Sequence, residues 1–182
     1  GPEQHGYIDA VGYDLYCKIL NEAILEEKGE YQPPKEEALI DMKISAHIPP
    51  TYIPSEADRM EMYKKISLIR CEEDRVDVMD ELCDRFGEMP RVTERLLLVA
   101  ATRAMATEIG VMKISVTESM ITVKLRAPDL SLWSEVFAKY PGMRFAPADP
   151  TTIFYRFAKA EPPKLLHEMI SLAYKVAKEE TK

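Results

Sequence analysis

Val111-Met112-Lys113-Ile114-Ser115-Val116-Thr117-Glu118-Ser119-Met120-Ile121-Thr122-Val123-Lys124-Leu125 is the stretch that decides the fold class. Met112, Ile114 and Val116 alternate with other residues before Thr117-Glu118-Ser119, and Ile121, Val123 and Leu125 alternate after it. A period of two sends successive side chains to opposite faces of an extended chain, so two such runs about a short polar turn read as a β-hairpin. Most of the remaining chain is patterned every three or four residues, the spacing of one helix face. Strands embedded among helices predict an α+β fold.

Towards the carboxyl end, a helix is expected over 129–140, presenting Leu130, Trp133, Phe137 and Tyr140. Ile153, Tyr155 and Phe157 read as a further strand, with 143–146 its candidate partner, and a last helix over 162–178 ends in basic residues that suit its negative end. Towards the amino end, a helix over 90–109 carries Leu96, Leu97, Ala100, Ala104 and Met105 and stops at Gly110. Another over 72–86 is expected to bury Met79, Leu82, Cys83 and Phe86 and to stop at Gly87. Ser55 followed by Asp58 signals the cap of a helix bearing Met62, Ile66 and Ile69. Residues 42–48 alternate like a strand and are ended by Pro49, Pro50 and Pro54. Residues 40–182 are thus expected to form one domain, a small mixed or antiparallel sheet packed with about five helices.

Residues 1–29 read differently. Tyr13, Tyr16, Cys17, Leu20 and Ile24 make a separate amphipathic helix that ends at Gly29, and 30–39, with Pro33-Pro34 and its charges, reads as a linker. That helix has little beside it to bury its stripe against, so it is expected to belong to a neighbouring domain.

Composition narrows the function. Of 182 residues, 46% are hydrophobic and 30% charged, an ordinary globular balance. No apolar run reaches the roughly 18 residues of a membrane span, and no basic-then-apolar leader is present. Cys17, Cys71 and Cys83 are widely spaced and odd in number, which fits reduced thiols and a cytoplasmic location. The net charge of −7 divides as −6 over residues 1–40 (3 basic, 9 acidic), −4 over 41–110 (10 and 14) and +3 over 111–182 (11 and 8). No segment is a concentrated basic stripe, so nucleic-acid binding by charge alone is not expected. The 7 glycines are scattered and form no phosphate loop, dinucleotide fingerprint or nucleophile elbow. His5, His47 and His167 are far apart, without metal-ligand spacing. No catalytic residue, cofactor or metal is therefore expected here. An enzymatic rival would rest on Cys71, whose place at a helix start can lower a thiol pKa; Cys83 reads as a buried, inert thiol.

The informative segment is Asp74-Arg75-Val76-Asp77-Val78-Met79-Asp80-Glu81-Leu82-Cys83-Asp84-Arg85-Phe86-Gly87. In a helix, Asp74, Asp77, Glu81 and Asp84 recur at steps of three, four and three and share a face different from the apolar one of Met79, Leu82, Cys83 and Phe86. Pattern alone allows two readings: a solvated face partly neutralised by Arg75 and Arg85, or a docking strip for a partner's arginines.

Three stretches resemble the carboxyl-terminal region of the bacterial transcription-repair coupling factors. Glu3-Gln4-His5-Gly6 with Val11-Gly12-Tyr13-Asp14-Leu15-Tyr16 is similar to the end of the "translocation in RecG" motif. Ile48-Pro49, Tyr52-Ile53-Pro54, Arg59, Tyr63, Lys64 and Ile66 resemble the entry to the family's last domain, and Glu81-Leu82-Cys83-Asp84-Arg85-Phe86-Gly87 its most recognisable helix end. The resemblance implies an ATP-driven DNA translocase that displaces stalled RNA polymerase and recruits UvrA. Its last domain would be an autoinhibitory element that packs on an amino-terminal UvrB-like module and masks UvrA recognition. Glu81 and Asp84, with Asp77 beside them, would be the docking contacts, and Gln4 the glutamine of the translocation motif. Residues 1–29 would be the tail of the translocase module and 40–182 the regulatory domain. ATP and magnesium would belong to a motor whose nucleotide-binding motifs this sequence does not contain. The rival from another class is a nucleic-acid-contacting accessory domain using Lys113, Lys124, Arg126, Arg144 and Arg156.

Overall fold

The computed structural model describes residues 36–180, which fall into two compact units: Lys43–Ala101, and Glu36–Met42 with the chain from Thr102 onward. The translocation-motif glutamine Gln4, the amphipathic helix, Cys17 and most of the expected linker lie outside the described residues. Five helices and five strands are found among those described, so the fold is α+β as expected.

The first unit is helical. Helix α1, Glu56–Ser67, starts at Ser55, whose hydroxyl accepts from the Asp58 amide at 3.2 Å, the expected cap. Helix α2 is Glu72–Phe86 and helix α3 is Arg91–Glu108, whose residues up to Ala101 belong here. Ile48, Ile53, Met62, Ile66, Leu82, Leu96 and Leu97 are all 0% exposed and make the core. Complete burial of such side chains is worth about 1.5–3 kcal/mol each.

The strand expected over 42–48 is displaced. Strand β1 is Leu39–Met42, and residues 43–48 are extended chain outside the strand. Alternating burial is nevertheless present, with Ala46 at 4% and Ile48 at 0% exposure. The backbone there finds its partners on helices. The His47 amide donates to the Val92 carbonyl at 3.2 Å, the Thr93 hydroxyl donates to the His47 carbonyl at 2.9 Å, and the Ile48 amide donates to the Tyr63 hydroxyl at 2.8 Å. An extended segment seated on helices carries the same period of two as a strand, which is why pattern alone misplaced it.

The second unit is a five-stranded sheet ordered β1-β2-β3-β5-β4, with β2 Val111–Val116, β3 Met120–Leu125, β4 Arg144–Ala146 and β5 Asp149–Arg156. The expected hairpin is β2–β3, closed by a hydrogen bond from the Thr117 amide to the Met120 carbonyl at 2.9 Å. β4 pairs with β5 as expected; the parallel β1–β2 pair was not foreseen. Gly110, at φ +81°, makes the turn from α3 into β2, a backbone conformation that glycine adopts without steric cost. Helices α4, Leu130–Lys139, and α5, Pro162–Glu180, pack on each other. Asp129 caps α4 through the Leu132 amide. Leu132, Trp133 and Val136 are buried, while Leu130, expected to be inward, is 59% exposed. Phe137 meets Phe145 edge-on at 4.9 Å and Tyr140 meets Tyr155 at 5.7 Å, which places α4 over the sheet face that carries Ile114, Ile121, Val123 and Ile153.

Residues 36–39, inside the segment expected as linker, are already part of this unit. Glu37 forms an ion pair with the buried Arg103, and the Ala38 amide donates to the Thr107 hydroxyl at 2.9 Å.

Replacing Tyr63 with Phe removes the acceptor of the buried Ile48 amide. The expected cost is about 1–3 kcal/mol, read as a lower urea midpoint with an unchanged m value.

Candidate docking face

Helix α2 is held by its ends and by one side chain. Glu72, Glu73 and Asp74 occupy its first turn, where carboxylates complement the positive end of the helix dipole. Gly87, at φ +85°, ends it, and its amide donates to the Cys83 carbonyl at 3.0 Å. The Tyr52 hydroxyl lies 3.2 Å from the Leu82 carbonyl and 3.0 Å from the Gly87 carbonyl, so its single proton serves the last turn. Burial, with the Cys83 thiol next in effect, pushes the Tyr52 phenol above its ordinary 10.0. The Tyr52 ring also meets Phe86 edge-on at 6.2 Å. Leu82 alone in α2 is fully buried.

That anchoring fixes which carboxylates face outward. Asp77, Asp80 and Asp84 are exposed, with spacings of three and four that align them on one face, and Glu73 extends the row by one turn. None of the three aspartates makes a hydrogen bond or ion pair among the described residues. Asp84 stands in the last turn, where the helix dipole opposes a negative charge.

Glu81 is placed differently. Its carboxylate takes Lys65 Nζ at 2.6 and 2.9 Å and Arg85 at 2.9 Å. Arg85 reaches both oxygens of Glu61 at 3.1 Å and stacks 4.8 Å above the Phe86 ring. Lys65 first and Arg85 second hold the Glu81 carboxyl below its ordinary 4.5. Asp74 also turns inward, accepting from the Arg70 amide at 2.9 Å. Arg75, expected to neutralise the row, pairs instead with Glu72 at 2.5 and 2.9 Å.

Of the residues singled out in the sequence, the structure thus brings Asp77 and Asp84 together, sets Glu81 at the edge of the row inside an ion network, and withdraws Asp74. Sequence reasoning missed Asp80. Its signal was present, since Asp77-Asp80-Asp84 fits the helical period as well as Asp77-Glu81-Asp84. The choice is made by Lys65, a residue of α1.

The thiols also depart from expectation. Cys83 is exposed rather than buried, because Leu82 takes the inward position beside it. Cys71 precedes the first turn of α2, yet burial pushes its thiol above the ordinary 9.0, so the position supplies no activated thiolate. Among the described residues, no group of three or more His, Cys, Asp or Glu could hold a metal ion, and no helix is long and apolar enough to cross a membrane.

The folded state holds the Glu81 proton less tightly than the unfolded chain does. Its ion network therefore contributes stability above the ordinary carboxylate pKa, and that contribution is lost as pH falls through the lowered folded value. Glu81→Gln is expected to lower stability at neutral pH and to flatten the acid limb as pH falls below the ordinary carboxylate range. Asp84→Asn, which removes a like-charge pair and a charge opposed to the helix dipole, is expected to raise neutral-pH stability by about 0.5–1 kcal/mol. Thermal melts from neutral pH down the acid limb check both.

Residues 42–131 match the family model described as the TRCF domain. The transcription-repair-coupling factor of Staphylococcus haemolyticus is 39% identical over 127 residues, covering 69% of this chain and 11% of that protein. The Bacillus subtilis transcription-repair-coupling factor is 39% identical over 109 residues, covering 59% of this chain and 9% of that protein. The chain therefore spans about a tenth of the length of these relatives. In fold, it is similar to the crystal structure of a C-terminal domain of transcription-repair coupling factor, with TM-score 0.70 and 21% identity, covering 80% of this chain and 96% of that one. Residues 42–131 are a TRCF domain, and with it the chain belongs to the family of bacterial transcription-repair coupling factors.

Proposed function

We propose that this domain is an autoinhibitory docking element of an ATP-dependent DNA translocase that couples transcription to excision repair. Residues 40–182 form the regulatory domain in this reading, and 1–29 the tail of the motor, with Gln4 in its translocation motif. The partner is the parent's own UvrB-like module. Docking there masks the surface that UvrA recognises, and engagement of RNA polymerase releases it. DNA, ATP and magnesium are handled by the motor.

The observation that carries this reading is the row Asp77, Asp80 and Asp84, exposed and without a cation partner among the described residues. Like charges three and four residues apart on a helix disfavour it by roughly 0.2–0.5 kcal/mol per pair, and Asp84 additionally opposes the dipole. The helix bears these local costs with no offsetting contact of its own. Arginines on a partner would offset them, each forming charge-assisted hydrogen bonds with a carboxylate. Glu81 contributes at the rim, where its second interactions with Lys65 and Arg85 would hold it in place.

A tethered partner needs only a modest interface, because the linker supplies an effective concentration of order millimolar. The closed state then needs to be favoured by only a few kcal/mol, within reach of a ligand that binds the open state better.

In the full-length parent, Glu81→Ala with Asp84→Ala is expected to raise basal ATPase and UvrA binding together, by about five- to tenfold, the low end of ordinary coupling between sites. Asp77→Asn with Asp80→Asn is expected to act in the same direction, while Glu72→Gln, off the row, changes neither. If both readouts stay at the wild-type level in both double variants, the docking role is lost. If ATPase rises without UvrA binding, masking is the part that goes.

A further inference from the structure

The sheet of the second unit has two unlike faces. In the register of the ladder, Lys113 stands opposite Lys124, and Lys124 opposite Thr152; Thr122 stands opposite Phe154, and Phe154 opposite Arg144; Met120 stands opposite Arg156. Residues directly opposite one another share a face. No residue of this set is buried, although β2, β3 and β5 are interior strands. Ile114, Ile121, Val123 and Ile153, on the reverse side of the same strands, are all 0% exposed. One face is therefore covered and the other is open.

The open face gathers four cations that lie far apart in the sequence. Around Phe154, Arg144 is directly opposite, with its guanidinium carbon 5.9 Å from the ring centroid, Arg156 is two residues along the strand, and Lys124 is on the diagonal. Lys113 lies next to Lys124. Lys124 is steadied by the Thr151 hydroxyl at 2.7 Å and by Asp149 at 3.4 Å, while Lys113, Arg144 and Arg156 make no ion pair among the described residues. The register also puts Asp41 on this face, and the Asp149 carboxylate reaches it at Lys124 and Thr152. In a chain of net charge −7 such a local excess of positive charge is uneven by any measure.

We propose that this open face binds single-stranded nucleic acid, a base stacking on Phe154 while Lys113, Lys124, Arg144 and Arg156 hold the flanking phosphates. Stacking platforms ringed by cations bind single strands with little regard to sequence, since every base has a π-face and the backbone supplies the charge. A protein partner would have to bring an acidic surface to meet these cations, and the poly-glutamate comparison below separates that case from nucleic acid. A duplex fits less well, because its bases are paired and stacked on one another and are not free to stack on Phe154. Arg126, which basic composition would have grouped with these residues, is not among them; it pairs with Glu36.

Fluorescence anisotropy of the full chain with labelled oligo(dT) and oligo(U) tests the proposal, with a duplex of equal length and a poly-glutamate peptide for comparison. Single strands are expected to bind several-fold more tightly than the duplex, with affinity falling steeply between about 50 mM and about 200 mM salt. Arg144→Glu with Arg156→Glu is expected to weaken binding by tenfold or more. Phe154→Leu, which keeps the bulk and the fold, should weaken it by about threefold or more, and Phe154→Trp should restore it. Circular dichroism confirms that each variant is folded. The proposal is overturned by no binding at low salt, by binding indifferent to Phe154→Leu, or by poly-glutamate binding as well as the single strands, which would mark an acidic-protein site.

Discussion

The roll of α2 about its own axis determines which carboxylates this domain shows to its surroundings, and Leu82 sets that roll. A helix turns 100° per residue, so burying one leucine fixes the direction of every other side chain on it. With Leu82 inward, Cys83 and Asp84 face out, and Asp77 and Asp80 align with Asp84. Tyr52 holds the last turn by its carbonyls, and the Lys65–Glu81–Arg85–Glu61 network holds the flank against α1. The apolar contact supplies the energy and the polar contacts supply the angle. None of these ion pairs is deeply buried, so each contributes little alone. Together they reinforce the roll that the leucine sets.

Much of the fold was legible in the sequence because it is written locally. The hairpin, the Ser55 cap, the Gly87 and Gly110 stops and the bounds of α2 all follow from residues within a turn of the feature they specify. What failed was non-local. Residues 43–48 alternate as a strand does, but their amides and carbonyls meet Val92, Thr93 and Tyr63, far along the chain. The β1–β2 pair is parallel and joins segments separated by three helices, so no short-range signal announces it. In the acidic helix, periodicity gave two rows offset by one residue. Lys65 on α1, with Arg85, decides between them by neutralising Glu81. The exposure of Cys83 is the same lesson, since its apolar neighbours in the sequence are not its neighbours on the surface.

Charge in this chain is arranged by face more than by segment. The stretch from 111 onward carries an excess of only +3, which looks unremarkable in the sequence, yet the ladder collects four of its cations on one face of the sheet. The acidic stretch likewise divides into carboxylates spent inside the domain and carboxylates left outward. Glu61, Glu81 and Asp74 are spent; Asp77, Asp80 and Asp84 are left. A charge count cannot make that distinction, since it depends on which cations reach which acids.

The parallel pairing of β1 with β2 has a mechanical meaning. The chain enters the second unit at Glu36 and passes at once into an edge strand. A tension applied along β1 loads its ladder hydrogen bonds to β2 side by side, in shear, so they must yield together. Tension across a hairpin would open its bonds one after another. The buried Arg103 grips Glu37 at the point where such a load arrives, so the joint is reinforced before the ladder is reached. Load arriving at Glu36 is therefore met by the Glu37–Arg103 pair first and by the β1–β2 ladder second.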